Sequence, residues 1–272
     1  MKSGAQKSAR KFAKKSNVLT ILGCGTSTGV PFISCNCPVC RSKDPKNNRT
    51  RASAWIQVNG KSIVIDTGPD FRQQVLREKI KHIDAVLYTH PHADHVHGID
   101  ELRSFNFIQK TTIPVYGNDW IFEELPIKFS YIFKPGYVEG GGIPMLTLHK
   151  LNPRKKEVKI SDIPVVLIPH QHGSKESLGY RIESVAYIAD CSYIPPTSLD
   201  RLRGLSVLVL DCLRLEPHRT HLNLDRALEL VAELKPKKAY LTHLGHEFDY
   251  KKWEKKLPKG VHLAYDGLKI RF

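Results

Sequence analysis

The sequence predicts an α/β protein: a four-layer αββα sandwich of two mixed β-sheets packed together, with helices on their outer faces. Three observations carry this. Short apolar strands alternate with stretches of helical period, residues 18–110 and 160–272 have comparable strand and helix content, and no internal repeat or linker separates them. A length of 272 residues, 41% hydrophobic and 25% charged, supports a sizeable core and excludes wholesale disorder. No run of 18 apolar residues occurs, so no membrane span is expected.

The elements follow in order. Val18–Leu22 reads as a strand running into a Gly23-Cys24-Gly25 turn. Ala54–Val58 and Ser62–Asp66 alternate apolar with polar residues around Asn59-Gly60, a strong hairpin signal. Phe71–Lys79 reads as helix, Ala85–Tyr88 as a buried strand and residues 98–109 as a second helix, on the spacing of Ile99, Leu102 and Phe105. Residues 110–160, with Gly140-Gly141-Gly142, read as a long connection holding short elements. Strands are expected at Val165–Ile168, Leu178–Ile182, Val185–Ala189, Val207–Leu210 and Ala239–Thr242, a helix near Leu224–Leu234, and at the end a short helix and a strand pair.

The net charge of +15 first suggests a polyanionic partner, but it is concentrated in residues 1–20, 41–51, 150–159 and 251–272, and the remainder is slightly acidic. Residues 1–17 are expected to be a basic flexible arm, without the apolar stretch of a secretory signal. Residues 18–272 are then expected to form a single domain. Cys24, Cys191 and Cys212 stand alone in apolar contexts, whereas Cys35, Cys37 and Cys40 fall within six residues. A chain of this size has no need of disulfides, so a reduced, cytoplasmic protein is expected and the tight trio points to a metal.

The decisive segment is His90-Pro91-His92-Ala93-Asp94-His95, directly after the strand ending at Tyr88. It offers four candidate ligands in an irregular turn that can aim alternate side chains at two nearby points. Imidazole and carboxylate together suit Zn, Mn, Fe or Ni. This array resembles the signature of the metallo-β-lactamase superfamily, and other positions match that pattern: Asp66-Thr67-Gly68, a histidine at 170 or 172, Asp190 after Tyr187-Ile188-Ala189, and His243 after Tyr240-Leu241-Thr242. His172 is preferred to His170 because His172-Gly173 precedes Leu178-Gly179-Tyr180-Arg181 as in the family. The resemblance implies a metal held by His90, His92 and His172, a second held by Asp94, His95 and His243, and Asp190 bridging them. It further implies hydrolysis by a hydroxide held between the two metals, with Asp94 essential and Asp66 supporting the ligands. Asp84 and Asp211 receive no role.

Cys35-x-Cys37-x-x-Cys40 has the spacing of a thiolate zinc loop, for which His246 is the natural fourth ligand. The combination resembles the cyclic-phosphate phosphodiesterase branch of the superfamily, which acts on phosphoribosyl 1,2-cyclic phosphate and carries such a structural zinc. That resemblance implies a metal-dependent phosphodiesterase for a small cyclic or diester phosphate, with Zn, Mn or Ni in the dinuclear site. His221 would be its general acid, with His218 as substitute, and Arg49 and Arg51 are candidates to grip the phosphate. Two alternatives stay open: an RNA-processing nuclease of the tRNA 3′-end type, not favoured because residues 100–160 show no added RNA-gripping arm, and a non-catalytic accessory protein of cofactor biosynthesis. Lactamase and thioesterase branches leave the Cys trio unexplained. Dimers are common among relatives, so a homodimer is the assembly the resemblance allows.

Overall fold

The computed structural model describes residues 17–134, 136 and 142–272. Its first half supplies β1 (Val18–Gly23), β2 (Ser53–Val58), β3 (Lys61–Ile65), β4 (Ala85–Leu87), β5 (Ile113–Gly117) and β6 (Leu146–Lys150). The second half supplies β7 (Glu157–Ile160), β8 (Ile163–His172), β9 (Lys175–Ile182), β10 (Val185–Ile188), β11 (Val207–Asp211), β12 (Lys238–Thr242) and β13 (Val261–Leu263). The last strand, β14 (Lys269–Arg271), returns to the first sheet, giving two seven-stranded sheets ordered β14-β1-β2-β3-β4-β5-β6 and β13-β12-β11-β10-β9-β8-β7. Interspersed are α1 (Phe71–Glu78), α2 (Ala93–Val96), α3 (Leu102–Gln109), α4 (Asp119–Lys128), α5 (Ser130–Phe133), α6 (Pro196–Arg201), α7 (Leu224–Leu234) and α8 (Tyr250–Glu254).

Strand alternation builds the layers. Ile63 and Ile65 of β3 point between the sheets with Leu19, Ile21 and Ile56, meeting Leu167, Tyr180, Tyr187 and Val209 of the other sheet. The intervening Val64 faces outward, under Phe71, Leu102, Phe105 and Ile121 of α1, α3 and α4. On the far side Ile188, Leu208 and Leu210 pack under Leu224, Ala227 and Leu234 of α7. Because both faces of both sheets are covered, the central strands read as near-continuous apolar runs. Asn59 and Gly60 both take positive φ, 50° and 80°, as the tight hairpin between β2 and β3 requires.

Two expectations are corrected. Residues 110–160 are not chiefly a connection: β5 and β6 extend the first sheet and β7 closes the edge of the second. Their signal is weak because β5 contains Pro114, while β6 is a mostly exposed edge whose apolar face is only Leu146 and Leu148, both partly buried. The final strands are not a pair, since β13 joins β12 and β14 joins β1. The proposed arm at 1–17 lies outside the described residues except for Asn17, which is tied to the body through Glu183 and the backbone of Asn59. Gly140 and Gly141 also lie outside them.

What matters for the site is strand direction. β3 runs parallel to β4, and β10, β11 and β12 run parallel to one another, so five C-terminal strand ends gather along one edge of the sandwich. The fully buried Tyr180 of β9 ties the sheets there, its hydroxyl donating to the Tyr88 carbonyl at 2.6 Å. Tyr180→Phe leaves that carbonyl without the bond and should cost about 1–2 kcal/mol, read as a lower urea midpoint at unchanged m value.

Candidate metal centres

The site residues sit at or just past strand ends, His172 as the last residue of β8 and others where the ladder has stopped and the backbone is free to turn. Asp66 follows β3, Asp190 follows β10 and His243 follows β12, and all three take left-handed backbone, with φ of 61°, 52° and 59°. Such conformations cost an L-residue about 1–2 kcal/mol each and persist where the surroundings over-determine them. The chain leaving β4 bends at Thr89, is extended at His92 and then closes into the short α2, which sends His90 and His92 one way and Asp94 and His95 another. Gly68 lets this turn approach: a Cβ there would meet the Asp94 carbonyl at 2.1 Å.

The seven predicted side chains come together as two groups sharing Asp190. In the first, His92 Nδ1 lies 3.0 Å from His90 Nε2 and 3.3 Å from His172 Nε2, and Asp190 Oδ2 is 3.5 Å from His90 and 3.7 Å from His172. In the second, His95 Nε2 is 3.1 Å from both Asp94 Oδ2 and Asp190 Oδ1, and His243 Nε2 lies 3.5 Å and 3.3 Å from the same two oxygens. Ligands about 2.1 Å from a tetrahedral ion stand about 3.4 Å apart, the spacing seen in both groups. His95 Nε2, His243 Nε2 and Asp190 Oδ1 are buried and hydrogen-bond to nothing. Short separation without hydrogen-bond angles is what ligands of a common cation show.

The supporting bonds fix which nitrogen is free. His172 Nδ1 donates to the Thr220 carbonyl at 2.9 Å, and His95 Nδ1 donates to Asp66 Oδ2 at 2.8 Å, leaving both Nε2 atoms for the centre. Asp66 also accepts from the backbone and hydroxyl of Thr89, both at 2.8 Å, so one buried carboxylate braces both arms of the turn. Burial pushes the pKa of His90 well below the ordinary value and that of His172 down to about 4, so both stay neutral. Burial works against the Asp190 carboxylate, but the facing His243 and His95 outweigh it and hold its pKa well below the usual range. Ionised carboxylate oxygens set among imidazole nitrogens are the donor chemistry of a divalent cation.

His170, the alternative to His172, is no part of this: it is fully buried, its ring nitrogens 3.0 Å from the carbonyls of Ile168 and Ala189. His221 stands at the rim, its ring stacked on His243 at 4.7 Å and its Nδ1 3.2 Å from Asp211 Oδ1. Burial would lower its pKa, but the Asp211 charge and hydrogen bond push it up to about 9. His218 is more exposed and lies 5.2 Å from the His221 ring. Asp211 was missed by the sequence reading. It is fully buried, holds His221 and also accepts from the Leu222 and Asp190 backbone amides. Its signal was available, since it ends an apolar strand as Asp66 and Asp190 follow theirs. Trp120 was missed as well; its ring borders those of His92 and His90 at 5.3 and 5.7 Å.

The second cluster is Cys35, Cys37, Cys40 and His246. His246 Nδ1 lies 3.3, 3.6 and 3.4 Å from the three sulfurs. A tetrahedral zinc with bonds of about 2.3 Å to sulfur and about 2.0 Å to nitrogen separates them by about 3.5 Å. Partial burial works against the Cys37 thiolate, but the Cys40 amide bonded to its sulfur helps pull its pKa to about 7, while burial and the neighbouring thiols push Cys40 up to about 11. Three adjacent thiolates repel one another, and a cation is what lets all three ionise together.

The arginine expectations need correction. Arg49 is only 1% exposed, and its guanidinium donates to the carbonyls of Gly245 and Phe248 and to Asn47 Oδ1. It staples the Cys-loop side of the chain to the His243–His246 turn and, buried there, presents no donor to a phosphate from solvent. Arg51 is committed to both oxygens of Asp70, at 3.0 and 3.1 Å, and to the Ser27 carbonyl. Arg214 and Arg219, with Gly173, His218 and Thr220, line a cavity of about 690 Å³ beside the residue whose carbonyl holds His172.

A family profile described as the beta-lactamase superfamily domain matches residues 61–244, and the chain belongs to that superfamily. Fold and site together are those of a metallo-hydrolase, and the family fold implies divalent metal binding. Among solved structures, a diphosphatase from the PhnP family is 41% identical, with a TM-score of 0.87 over 94% of this chain and 97% of its own. The Zn2+-bound PqqB of Methylobacterium extorquens shares the fold at 20% identity and a TM-score of 0.75, over 94% of this chain and all of its own. An octanoyltransferase of Porphyromonas gingivalis is 34% identical over 251 residues, covering 91% of this chain but 50% of that protein. The chain thus spans about half the length of that curated relative. No helix among the described residues is long and apolar enough to cross a membrane.

Cys37→Ala should abolish binding of the ion held by the thiolate cluster. The measurement is metal content by mass spectrometry, with a fall in Tm expected because such binding is folding free energy. Unchanged content would show that these cysteines hold no metal.

Proposed function

We propose that this chain is a metal-dependent phosphodiesterase acting on a small cyclic or diester phosphate, with two divalent ions (Zn, Mn or Ni) in the His/Asp centre and one structural Zn on the cysteine loop. The observation that carries the reading is the Asp211–His221 pair beside the dinuclear centre. When bound, the two ions supply an activated water and neutralise charge on the phosphoryl oxygens. The chain supplies the rest. Asp211 accepts from His221 Nδ1, which leaves Nε2–H facing the centre, 3.7 Å from Asp190 Oδ2, where a departing alkoxide needs a proton. Asp66 and the Thr220 carbonyl keep His95 and His172 in the tautomers that face inward.

Anion selectivity is supported by the cavity beyond Thr220. Arg214 donates to the Glu216 and Pro217 carbonyls only, and neither it nor Arg219 pairs with a carboxylate among the described residues, so their charge is available to a phosphate. That none of the six cysteines is paired in a disulfide, with three placed to hold a metal as thiolates, supports a reducing, cytoplasmic setting. A second reading, cleavage of a phosphoanhydride, is favoured by the 41% identity to a diphosphatase. It differs in its leaving group: a phosphate departs with little need of a proton, an alkoxide does not.

Asp94→Ala should reduce hydrolysis of bis(p-nitrophenyl) phosphate at least about a thousandfold, and full activity in that variant would sink the assignment. His221→Ala should lose about 10²–10⁴ in kcat on a diester with an alkoxide leaving group and far less with p-nitrophenolate. Equal loss on both would reject the acid role. Since the acid acts only when protonated, alkoxide-releasing turnover should fall as pH rises through about 9, a limb absent in the alanine variant. Specific trimming of a pre-tRNA 3′ trailer would instead favour the nuclease reading. Hydrolytic silence after metal reconstitution would favour the accessory one.

A further inference from the structure

We infer that the two metal clusters are energetically coupled: an ion on the cysteine loop raises the affinity of the Asp94/His95/Asp190/His243 group for its own ion, with Arg49 as the positioning residue that transmits the effect. This rests on the metal assignments above and is independent of the substrate. The reason lies in how the ligands are held. His95 Nδ1 is fixed by Asp66, and His172 Nδ1 by the Thr220 carbonyl. His243 has no such support: both ring nitrogens are buried and hydrogen-bond to nothing, and Asp211 Oδ1 stands 3.8 Å from Nδ1. Its ring stacks with those of His221 and His95, at 4.7 and 5.9 Å, which sets its plane. The position of Nε2 within that plane is therefore set by the backbone of the turn that His243 begins.

The cysteine loop holds that turn at two points. The loop is closed at its base by paired backbone bonds between Val30 and Arg49, at 2.9 and 2.7 Å, with Cys35, Cys37 and Cys40 between them. From that base the buried Arg49 guanidinium donates to the carbonyls of Gly245 and Phe248, two and five residues past His243. Further along the loop the three sulfurs gather round His246 Nδ1, three residues past His243. This second tie needs a cation, because ionised sulfurs left alone repel one another and release the ring. The turn's other backbone bonds, from the Leu244 amide to Cys24 and from the Gly245 amide to Leu213, stay in place, so the fold survives while His243 gains freedom. The first metal group is exempt. Among the described residues, His90, His92 and His172 are hydrogen-bonded neither to Arg49 nor to residues 244–248, and they share only Asp190 with the second group. Filling the cysteine site should thus act on one ion of the pair, whereas a general change of stability would act on both. Coupling between two sites is typically about 5–150-fold in affinity, and linkage makes it reciprocal.

The test is Mn2+ binding to the full chain by calorimetry. Wild-type protein carrying one equivalent of Cd2+, whose thiolate absorbance reports that it sits on the cysteines, is compared with the same protein free of metal. The Mn2+ step that His243→Ala removes should be about 5–150-fold weaker without cadmium, and the other step should change far less. Conversely, saturating Mn2+ should tighten Cd2+, measured against a chelator, by the same factor. In Arg49→Lys, which keeps the charge and cannot span three acceptors, the ratio should fall toward one while both clusters still bind. If that variant does not fold, Asn47→Ala removes one of the three acceptors and should lower the ratio in part. Equal affinity with and without cadmium, an equal change in both steps, or the full ratio in Arg49→Lys overturns the inference. A wild type that takes up no cadmium on its thiolates, or no Mn2+ at the imidazoles, overturns the metal assignments and the coupling with them. Three ions bound without a ratio overturn the coupling alone.

Discussion

Asp190 is a buried carboxylate whose two oxygens face different sets of imidazoles: Oδ2 toward His90 and His172, Oδ1 toward His95 and His243. Taking a carboxylate out of water costs several kcal/mol unless opposite charge compensates it, so its burial commits the surroundings to holding cations. The rest of the site follows from that commitment. The imidazoles must be near enough to face Asp190, the far nitrogens of His95 and His172 are tied to Asp66 and Thr220, and the backbone must deliver them from separate strands.

Delivery depends on the two sheets being pressed together. Parallel strands end at one edge, and past the ends of β3, β10 and β12 lies a residue in a conformation that strand pairing would forbid. The left-handed backbone of Asp66, Asp190 and His243 turns three side chains inward where an extended chain would carry them past the site. The layers supply the compensation: Ile65, Ile188 and Leu241, just before these residues, are fully buried. Stability of the sandwich and local strain at the site are thus one arrangement.

The second cluster is coupled to the first through a single turn. His243 and His246 are three positions apart in the chain, one facing Asp190 and the other the cysteine sulfurs, while the buried Arg49 holds the carbonyls of Gly245 and Phe248. Fixing the cysteine loop therefore also fixes the path of the chain after β12. The same observation explains the charge of segment 41–51. Arg49 is spent on backbone carbonyls, Arg51 on Asp70, and Lys46 lies 4.2 and 4.3 Å from the rings of Tyr250 and Tyr265, so this basic stretch joins parts of the fold.

Much of this is written locally. The alternation of β3, the Asn59-Gly60 hairpin, the helical period of α7, the ligand array from His90 to His95 and the cysteine spacing are short-range patterns, and short-range patterns survive in a linear sequence. β5 and β6 do not, because one holds a proline and the other is an exposed edge whose pairing comes from its neighbour. Nor could sequence assign Arg49, which is basic like any loop arginine until burial against three oxygen acceptors shows otherwise. Asp211 and Trp120 are functional only by position, one behind His221 and the other beside His92. The sequence by itself determined which chemistry the chain can do, because ligand types and their spacing within a turn are covalent facts. Tertiary structure decided which charges remain free to meet a substrate, because that depends on partners brought in from distant strands.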